Sequence, residues 1–515
     1  MPPFPQLAAL RIGCFELTSL PLLPALTKLD VERCERLESL PLFSQLAELK
    51  AFSCNWLTSF PCLPALTKLD VKKCKRLESL PPFPQLSSLT IGNCEGLTSL
   101  PCLPALTKLD VERCEHLESL PPFPELTSLR VLGMDRVPSF CAMPKLHDLW
   151  VSECKKLEFS QDAPKALPSL EELGLHSCSA ITSIPSAPSL RSLNVEWCRE
   201  LQSLPPLPHL ETLSIIVCSG ALSMPSFPKL EVLKLSCCHG IKSLPDFPLL
   251  EKLIVSQCHS LTTLPLSPSL HKLDVRDCYM IDERCPTFVN SSNGDSLNSL
   301  PALPLLSSLT ASHKLLPPLH QLTKLTALDV GFRHFIPAVD LSHLPATMQA
   351  LCVREWPWRE LNLPDATITR LILVDCRELS AVPRIPTLRE LTLWGCEEIR
   401  SLSAYPRLER LIINFNTYIK RLPRLPELVE LRLLSCTEVK AVTGLRKLQK
   451  LVLCTASDLC TISSLPRVES MHLNETMRQV RISGVPALKL LETSDSSAPN
   501  SLPMGDYELK FTSSL

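Results

Sequence analysis

The chain has 515 residues, with 52 lysines and arginines against 53 aspartates and glutamates, 49 prolines, 13 glycines and four tyrosines. The near-zero charge balance argues against nucleic acid or anionic lipid as the main partner, since both need clustered positive charge. So much proline excludes long helices and favours short extended segments joined at rigid corners.

The chain opens MPPFPQLAALRIGC, with neither a basic start nor a continuous apolar run of the secretory type. No stretch approaches the roughly 18–20 apolar residues of a membrane span. Twenty-four cysteines in such a chain read as free thiols in a reducing compartment such as the cytoplasm, and not as a disulfide framework.

Cysteine then recurs every 20 residues, at Cys14, Cys34, Cys54, Cys74, Cys94 and Cys114, with Met134 on one beat and Cys154 on the next. After a slip of four residues the count restarts at Cys178 and runs to Cys278. A fixed period means one short unit stacked many times, each touching only its neighbours. Leu26 to Leu37 spells L-T-K-L-D-V-E-R-C-E-R-L, which matches the leucine-rich repeat formula L-x-x-L-x-L-x-x-N/C-x-L position for position. Aligning on it predicts about 24 coils, whose ninth-position residue runs from Cys14 to Ser496. Sixteen of those positions are cysteine; Arg333, Trp356, Asn416 and Thr476 are among the exceptions.

That phrase dictates the shape of one coil. Leu29-Asp30-Val31 alternates, so it is a short strand with Leu29 and Val31 buried and Asp30 exposed. Strands of successive coils pair in parallel about 4.8 Å apart and build a concave face. The next leucine (Leu37, Leu77, Leu117) turns back into the core. The chain returns over the convex side as S-L-P-x-x-P, where proline holds extended backbone without a hydrogen-bond partner. The expected fold is a β-rich solenoid, a leucine-rich-repeat right-handed superhelix with a concave parallel sheet and an extended or irregular Pro-rich convex side. The ladder cysteines read as buried, inert thiols, stacked in parallel with poor disulfide geometry. Zinc is disfavoured because no C-x-x-C pair occurs.

Four segments are expected: regular coils over 1–278, an insert loop over 279–308, a second block of coils over 309–497, and a cap or tail over 498–515. The insert, which begins YMIDERCPTFVNSSNGDSLN, reads either as a projecting binding loop or as an inert duplication scar. Smaller irregularities fall around QDAPKALP and EWPW. Asn290 and Asn474 fit the glycosylation pattern only by coincidence. Near-verbatim recurrence of CLPALTKLDV at Cys62 and Cys102 shows duplication of coil pairs. The first coil starts near residue 4 without a cap, so either a partner or self-association protects it or the chain is a fragment. GDYELKFTSSL alternates as a final strand would.

No catalytic motif survives inspection: no phosphate loop, no G-x-G-x-x-G after a strand, no H-E-x-x-H and no G-x-S-x-G. His116, His239 and His259 simply come after the ladder cysteine in the turn. The expectation is therefore no enzyme, no cofactor and no metal. A protein partner on the concave face is expected instead. In the first coils the outward rows alternate in sign, Lys28, Glu48, Lys68 and Asp30, Lys50, Asp70, and read as self-neutralised. In later coils one row still alternates, Arg370, Glu390, Arg410, Glu430, Lys450. Beside it the other rows turn apolar at Ile372, Val374, Trp394, Ile412, Leu434, Val452 and Cys454, the signature of a protein interface unless other segments fold over it. Trp394 is the natural anchor. A weaker patch surrounds Leu132 and Trp150.

The phrase L-P-x-L-P-x-L-x-x-L-x-V-x-x-C-x-x-L-x-S-L-P resembles the short repeats of bacterial effectors of the YopM and IpaH type, over roughly residues 4 to 497. That resemblance implies a scaffold that enters a eukaryotic cell and engages signalling or ubiquitin-pathway proteins through its concave face. Two features depart from it: the ladder is mostly cysteine where those proteins use asparagine, and no amino-terminal helical cap or carboxy-terminal ligase domain is seen, so a catalytic cysteine is not carried over. L-x-x-L-x-I-x-x-C-x-x-L-x-S-L-P is also similar to the repeat region of plant-type intracellular immune receptors. Function is accordingly expected to be a non-catalytic interaction scaffold, effector-like, or alternatively the recognition region of an immune receptor or a ubiquitin ligase.

Overall fold

The computed structural model describes residues 4, 6–136, 140–159, 167–218, 222–265, 267–276, 303–312, 316, 319–332, 341–364, 367–416, 418–455, 459, 461–474, 480–493 and 508–511. The chain divides into two compact units, Met1–Ser269 with Asp277–Leu297, and Leu270–Arg276 with Asn298–Leu515. Residues 279–302 of the expected insert lie outside the described residues, as do Asn290, Arg333 and Thr476.

The first unit carries β1 (Ala9–Ile12), β2 (Lys28–Glu32), β3 (Glu48–Phe52), β4 (Lys68–Lys72), β5 (Ser88–Gly92), β6 (Lys108–Glu112) and β7 (Ser128–Leu132). It continues through β8 (Asp148–Ser152), β9 (Glu172–His176), β10 (Ser192–Glu196), β11 (Thr212–Ile216), β12 (Val232–Ser236) and β13 (Lys252–Ser256). The second unit carries β14 (Lys272–Arg276), β15 (Ser308–Ser312), β16 (Ala327–Gly331), β17 (Ala350–Arg354), β18 (Arg370–Val374), β19 (Glu390–Trp394), β20 (Arg410–Asn414) and β21 (Glu430–Leu434). It ends with β22 (Ala441–Thr443), β23 (Lys450–Cys454), β24 (Thr461–Ser463), β25 (Ser470–Asn474), β26 (Arg481–Ser483), β27 (Leu490–Thr493) and β28 (Glu508–Phe511). Helix is confined, among the described residues, to short 3-10 turns such as Leu319–Gln321 and Leu341–His343.

Within each unit successive strands pair in parallel, and equivalent residues face each other, as in Lys28↔Glu48↔Lys68 and Leu29↔Leu49↔Leu69. In-register stacking is what a repeat demands, because a slip of one residue would turn every leucine outward. Leu29, Val31, Cys34 and Leu37 are accordingly buried. Burying one such leucine or valine contributes roughly 1.5–3 kcal/mol relative to leaving it in water.

One device ends nearly every strand. The next residue takes a positive φ, as at Arg33 (53°), Ser53 (55°) and Lys73 (57°). Its N–H donates to the last strand carbonyl of the following coil, as from Arg33 to Phe52 at 2.8 Å. This left-handed step breaks the alternation and tips the ladder residue into the core. Arginine, lysine, tryptophan and even Val217 (φ 56°) hold it without glycine.

The return side is without regular secondary structure where proline is dense. Leu20, Leu23 and Leu26 are buried at every third residue, the period of an extended proline-type helix. Tyr405 fills the position taken elsewhere by Phe43, Phe83 and Phe123, and its hydroxyl donates to the Pro383 carbonyl at 3.1 Å. The irregular return side is not universal: β22, β24 and β26 form a second, three-stranded parallel sheet. Their segments, AVT, TIS and RIS, contain no proline, so every backbone N–H is available to a ladder. At the far end β28 pairs in parallel with β27.

Candidate functional site

The ladder position shows how the turn after each strand is held. Cys54 Sγ lies 3.7 Å from the carbonyls of Phe52 and, one coil back, Val31. Cys376 and Cys396 repeat this at 3.5–3.6 Å. Burial pushes the Cys154, Cys218 and Cys436 thiols up to about 12, so they stay protonated at neutral pH. Asn416 does the same task more fully. Its Nδ2 donates to the Cys396 and Ile399 carbonyls, and its Oδ1 accepts the N–H groups of Tyr418 and Ile419, both at 3.1 Å. A strand, a left-handed step, an inward asparagine or cysteine and a buried leucine, repeated coil after coil, make up the leucine-rich-repeat fold. The chain folds as a leucine-rich-repeat solenoid.

On the open sheet face of the second unit, the leucine-rich-repeat strands present three outward positions each. The first row is neutralised from within. Glu390 lies 2.5 Å from Arg370 Nε and 3.8 Å from Arg410, and Arg410 Nε reaches Glu430 at 2.8 Å. Glu430 also receives Arg432 at 2.6 Å and Lys450 at 4.0 Å. Burial alone would raise the Glu430 carboxyl, but the hydrogen bond and charge of Arg432, with Arg410 and Lys450, hold it below the usual range. In the first unit Glu48 stands likewise between Lys28 (3.3 Å) and Lys68 (3.7 Å), whereas Asp30 takes Arg11 at 3.4 Å.

The apolar positions lie beside that row. Ile372, Val374, Ile412, Leu434, Val452 and Cys454 are half-buried, and Trp394 is 46% exposed. The register reads Ile372↔Thr392↔Ile412↔Arg432↔Val452 and Val374↔Trp394↔Asn414↔Leu434↔Cys454. Each row is therefore interrupted, by Thr392 and Arg432 in one and by Asn414 in the other. The apolar groups form a zigzag across five coils, not two solid stripes. Trp394 remains open to solvent, with no described segment folded over it.

Trp150 has a different setting. It faces Gly174 on the next strand, and a methyl group built on Gly174 would fall 2.0 Å from Trp150 Cε3. The indole lies flat across its own sheet, half-buried, one row inside the half-buried Leu132.

Two features went unread in the sequence. Phe415, in the left-handed step after β20 (φ 51°), is 53% exposed. Its ring meets Trp394 with centroids 6.0 Å apart at 52°. The signal was available: Phe415 and Trp197 are the aromatic residues among the described positions that take this positive φ. The second feature is a shallow hollow of about 150 Å³ over β15–β18, lined by Ser308, Thr310, Ala327, Ala350, Cys352, Arg370 and Ile372 among others. Runs of small outward residues create it. Beside it Arg354 grips Asp329 with two hydrogen bonds of 2.9 Å.

Among the described residues no group of three or more His, Cys, Asp or Glu converges to hold a metal ion. No described helix is long and apolar enough to cross a membrane. His239 and His259 stack on each other at 5.3 Å.

No protein-family model matches this chain, and no curated protein matches it. Solved structures do. YopM from Yersinia enterocolitica WA-314 is 21% identical, covers 97% of this chain and 92% of its own, and gives a TM-score of 0.37. The TLR13–ssRNA13 complex is 16% identical, with 87% of each chain covered and a TM-score of 0.39. CroV588, a circular LRR protein, is 13% identical, with 94% of this chain and 79% of that chain covered and a TM-score of 0.33.

Proposed function

We propose that this leucine-rich-repeat chain is a non-catalytic scaffold that captures a protein on the open sheet face of its second unit, with Trp394 as anchor. The observation that carries the reading is Trp394 itself, a large ring left in water between half-buried Val374 and the Asn414–Leu434 step. An apolar zigzag bordered by a self-neutralised charge row has the make-up of a protein interface, and tryptophan is the type most enriched among hot spots. The alternating border offers no run of cations for a phosphate backbone.

In this reading the scaffold is effector-like and works in a cytosol. The cysteine ladder supports a second reading, the recognition region of a plant-type immune receptor or of a ubiquitin ligase. A nucleotide-binding module encoded upstream, or a ligase domain downstream, would decide between them. Exposed Phe4 and Phe15 on the first coil support self-association there.

The test is Trp394→Asp. Affinity capture with the intact chain, read by mass spectrometry, is expected to lose its partner in this variant while the far-UV circular dichroism is unchanged. Full capture by the variant removes this face from consideration.

A further inference from the structure

Three of the exposed aromatic rings among the described residues are roofed by the protein's own cations. Arg76 stands over Trp56 at 5.4 Å, Arg199 over Trp197 at 6.0 Å and Arg400 over Tyr418 at 5.7 Å. Even half-buried Phe52 has Lys73 at 5.2 Å. Trp394 and Phe415 differ from these three. They are the most exposed ring pair in contact among the described residues, and no described lysine or arginine stands over either.

What stands beside them is a carboxylate. Asp375, in the left-handed step after β18 (φ 50°), accepts nothing and pairs with nothing through its side chain among the described residues. Its backbone N–H donates to the Trp394 carbonyl at 2.7 Å. Its Oδ1 leans over Gly395, where a methyl group would lie 2.3 Å away. Gly395 is the residue directly after Trp394, and its lack of a side chain is what lets the carboxylate stand there.

We propose that Trp394, Phe415 and Asp375 form a subsite for a cationic side chain of the protein partner, with arginine the preferred one. The inference rests on the sheet-face reading above and sharpens it. Aromatic faces attract a cation through their quadrupole, and a carboxylate left without a partner supplies the counter-charge. Arginine fits better than lysine because its planar guanidinium stacks on a ring while two of its N–H groups meet a carboxylate. The cation that Arg400 provides from within for Tyr418 is here left for the ligand to bring.

The experiment uses the full chain labelled with nitrogen-15, observing the indole N–H signals of its six tryptophans, with Trp394→Phe assigning its own. N-acetyl-arginine amide is titrated against its neutral isostere N-acetyl-citrulline amide. The expected result is a saturable shift of the Trp394 signal with the arginine compound, with a dissociation constant in the millimolar range, and none with citrulline. Asp375→Asn, which keeps a residue type at ease with positive φ, should weaken binding about tenfold. No shift with arginine, an equal shift with citrulline, or unweakened binding by Asp375→Asn overturns the subsite. If Trp394→Asp still loses the protein partner in that case, the sheet-face reading stands and only the cation subsite falls.

Discussion

Asn416 Nδ2 donates to the Cys396 carbonyl oxygen at 2.5 Å, joining the ladder positions of two successive coils through a fully buried amide. Its oxygen closes the turn by accepting from Tyr418 and Ile419. Cysteine at the same place contributes weak sulfur contacts to carbonyls and no acceptor of comparable strength for those N–H groups.

Asn416→Ala should therefore strand two buried N–H groups and two carbonyls. A buried group left unsatisfied costs about 1–3 kcal/mol. Global unfolding of a repeat array need not be two-state, so the measurement is local: amide exchange at Tyr418 and Ile419 is expected to speed up by roughly one to two orders of magnitude. Asn416→Cys, the protein's own alternative, should fall between. Unchanged exchange in Asn416→Ala would mean that the turn is held by something else.

Gly174→Ala tests the seat of Trp150. A methyl group 2.0 Å from Cε3 cannot coexist with the ring as placed, so the indole must swing off the sheet, at a cost of about 1–3 kcal/mol. The expected signature is a red-shifted Trp150 emission, taken as the difference from the same glycine variant carrying Trp150→Phe. A spectrum that does not move refutes the flat placement.

Buried thiols make stability depend on alkaline pH. Cys154, Cys218 and Cys436 are pushed by burial from 9.0 to about 12. The unfolded chain thus gives up these protons first, binds fewer of them above pH 9, and is favoured as pH rises. Their contribution is complete below pH 9 and drains away between pH 9 and about 12. Thermal melts across that window should fall more steeply than those of a chain with Cys436→Ala, compared by slope and not by absolute stability. At pH 8 a thiol reagent should label the exposed Cys62, Cys102 and Cys141, and Cys14, the one ladder cysteine among the described residues that is exposed and not buried as expected, and spare buried ladder cysteines such as Cys34 and Cys436, because reaction needs an accessible thiolate. Rapid labelling of Cys436 would contradict its burial.

Leu29, Val31, Cys34 and Leu37 could be placed from spacing alone, and so could the outward rows containing Trp394 and Glu430. A period of 20 residues leaves one register that buries every leucine, and alternation along a strand then dictates which side chains face out. Alternation stops at the strand's last residue, however. Phe415 looks like an ordinary turn residue in the sequence, because alternation does not reveal that a left-handed step adds one more outward position.

Tertiary structure alone decided how those outward side chains lie. Trp150 rests on Gly174, Asp375 leans over Gly395, Phe415 meets Trp394, and the proline-free segments at Val442, Ile462 and Ile482 gather into a second sheet. All are contacts between side chains or backbones of different coils. Repeat spacing sets which residues become neighbours, but the direction a ring or carboxylate takes depends on the room its neighbours leave.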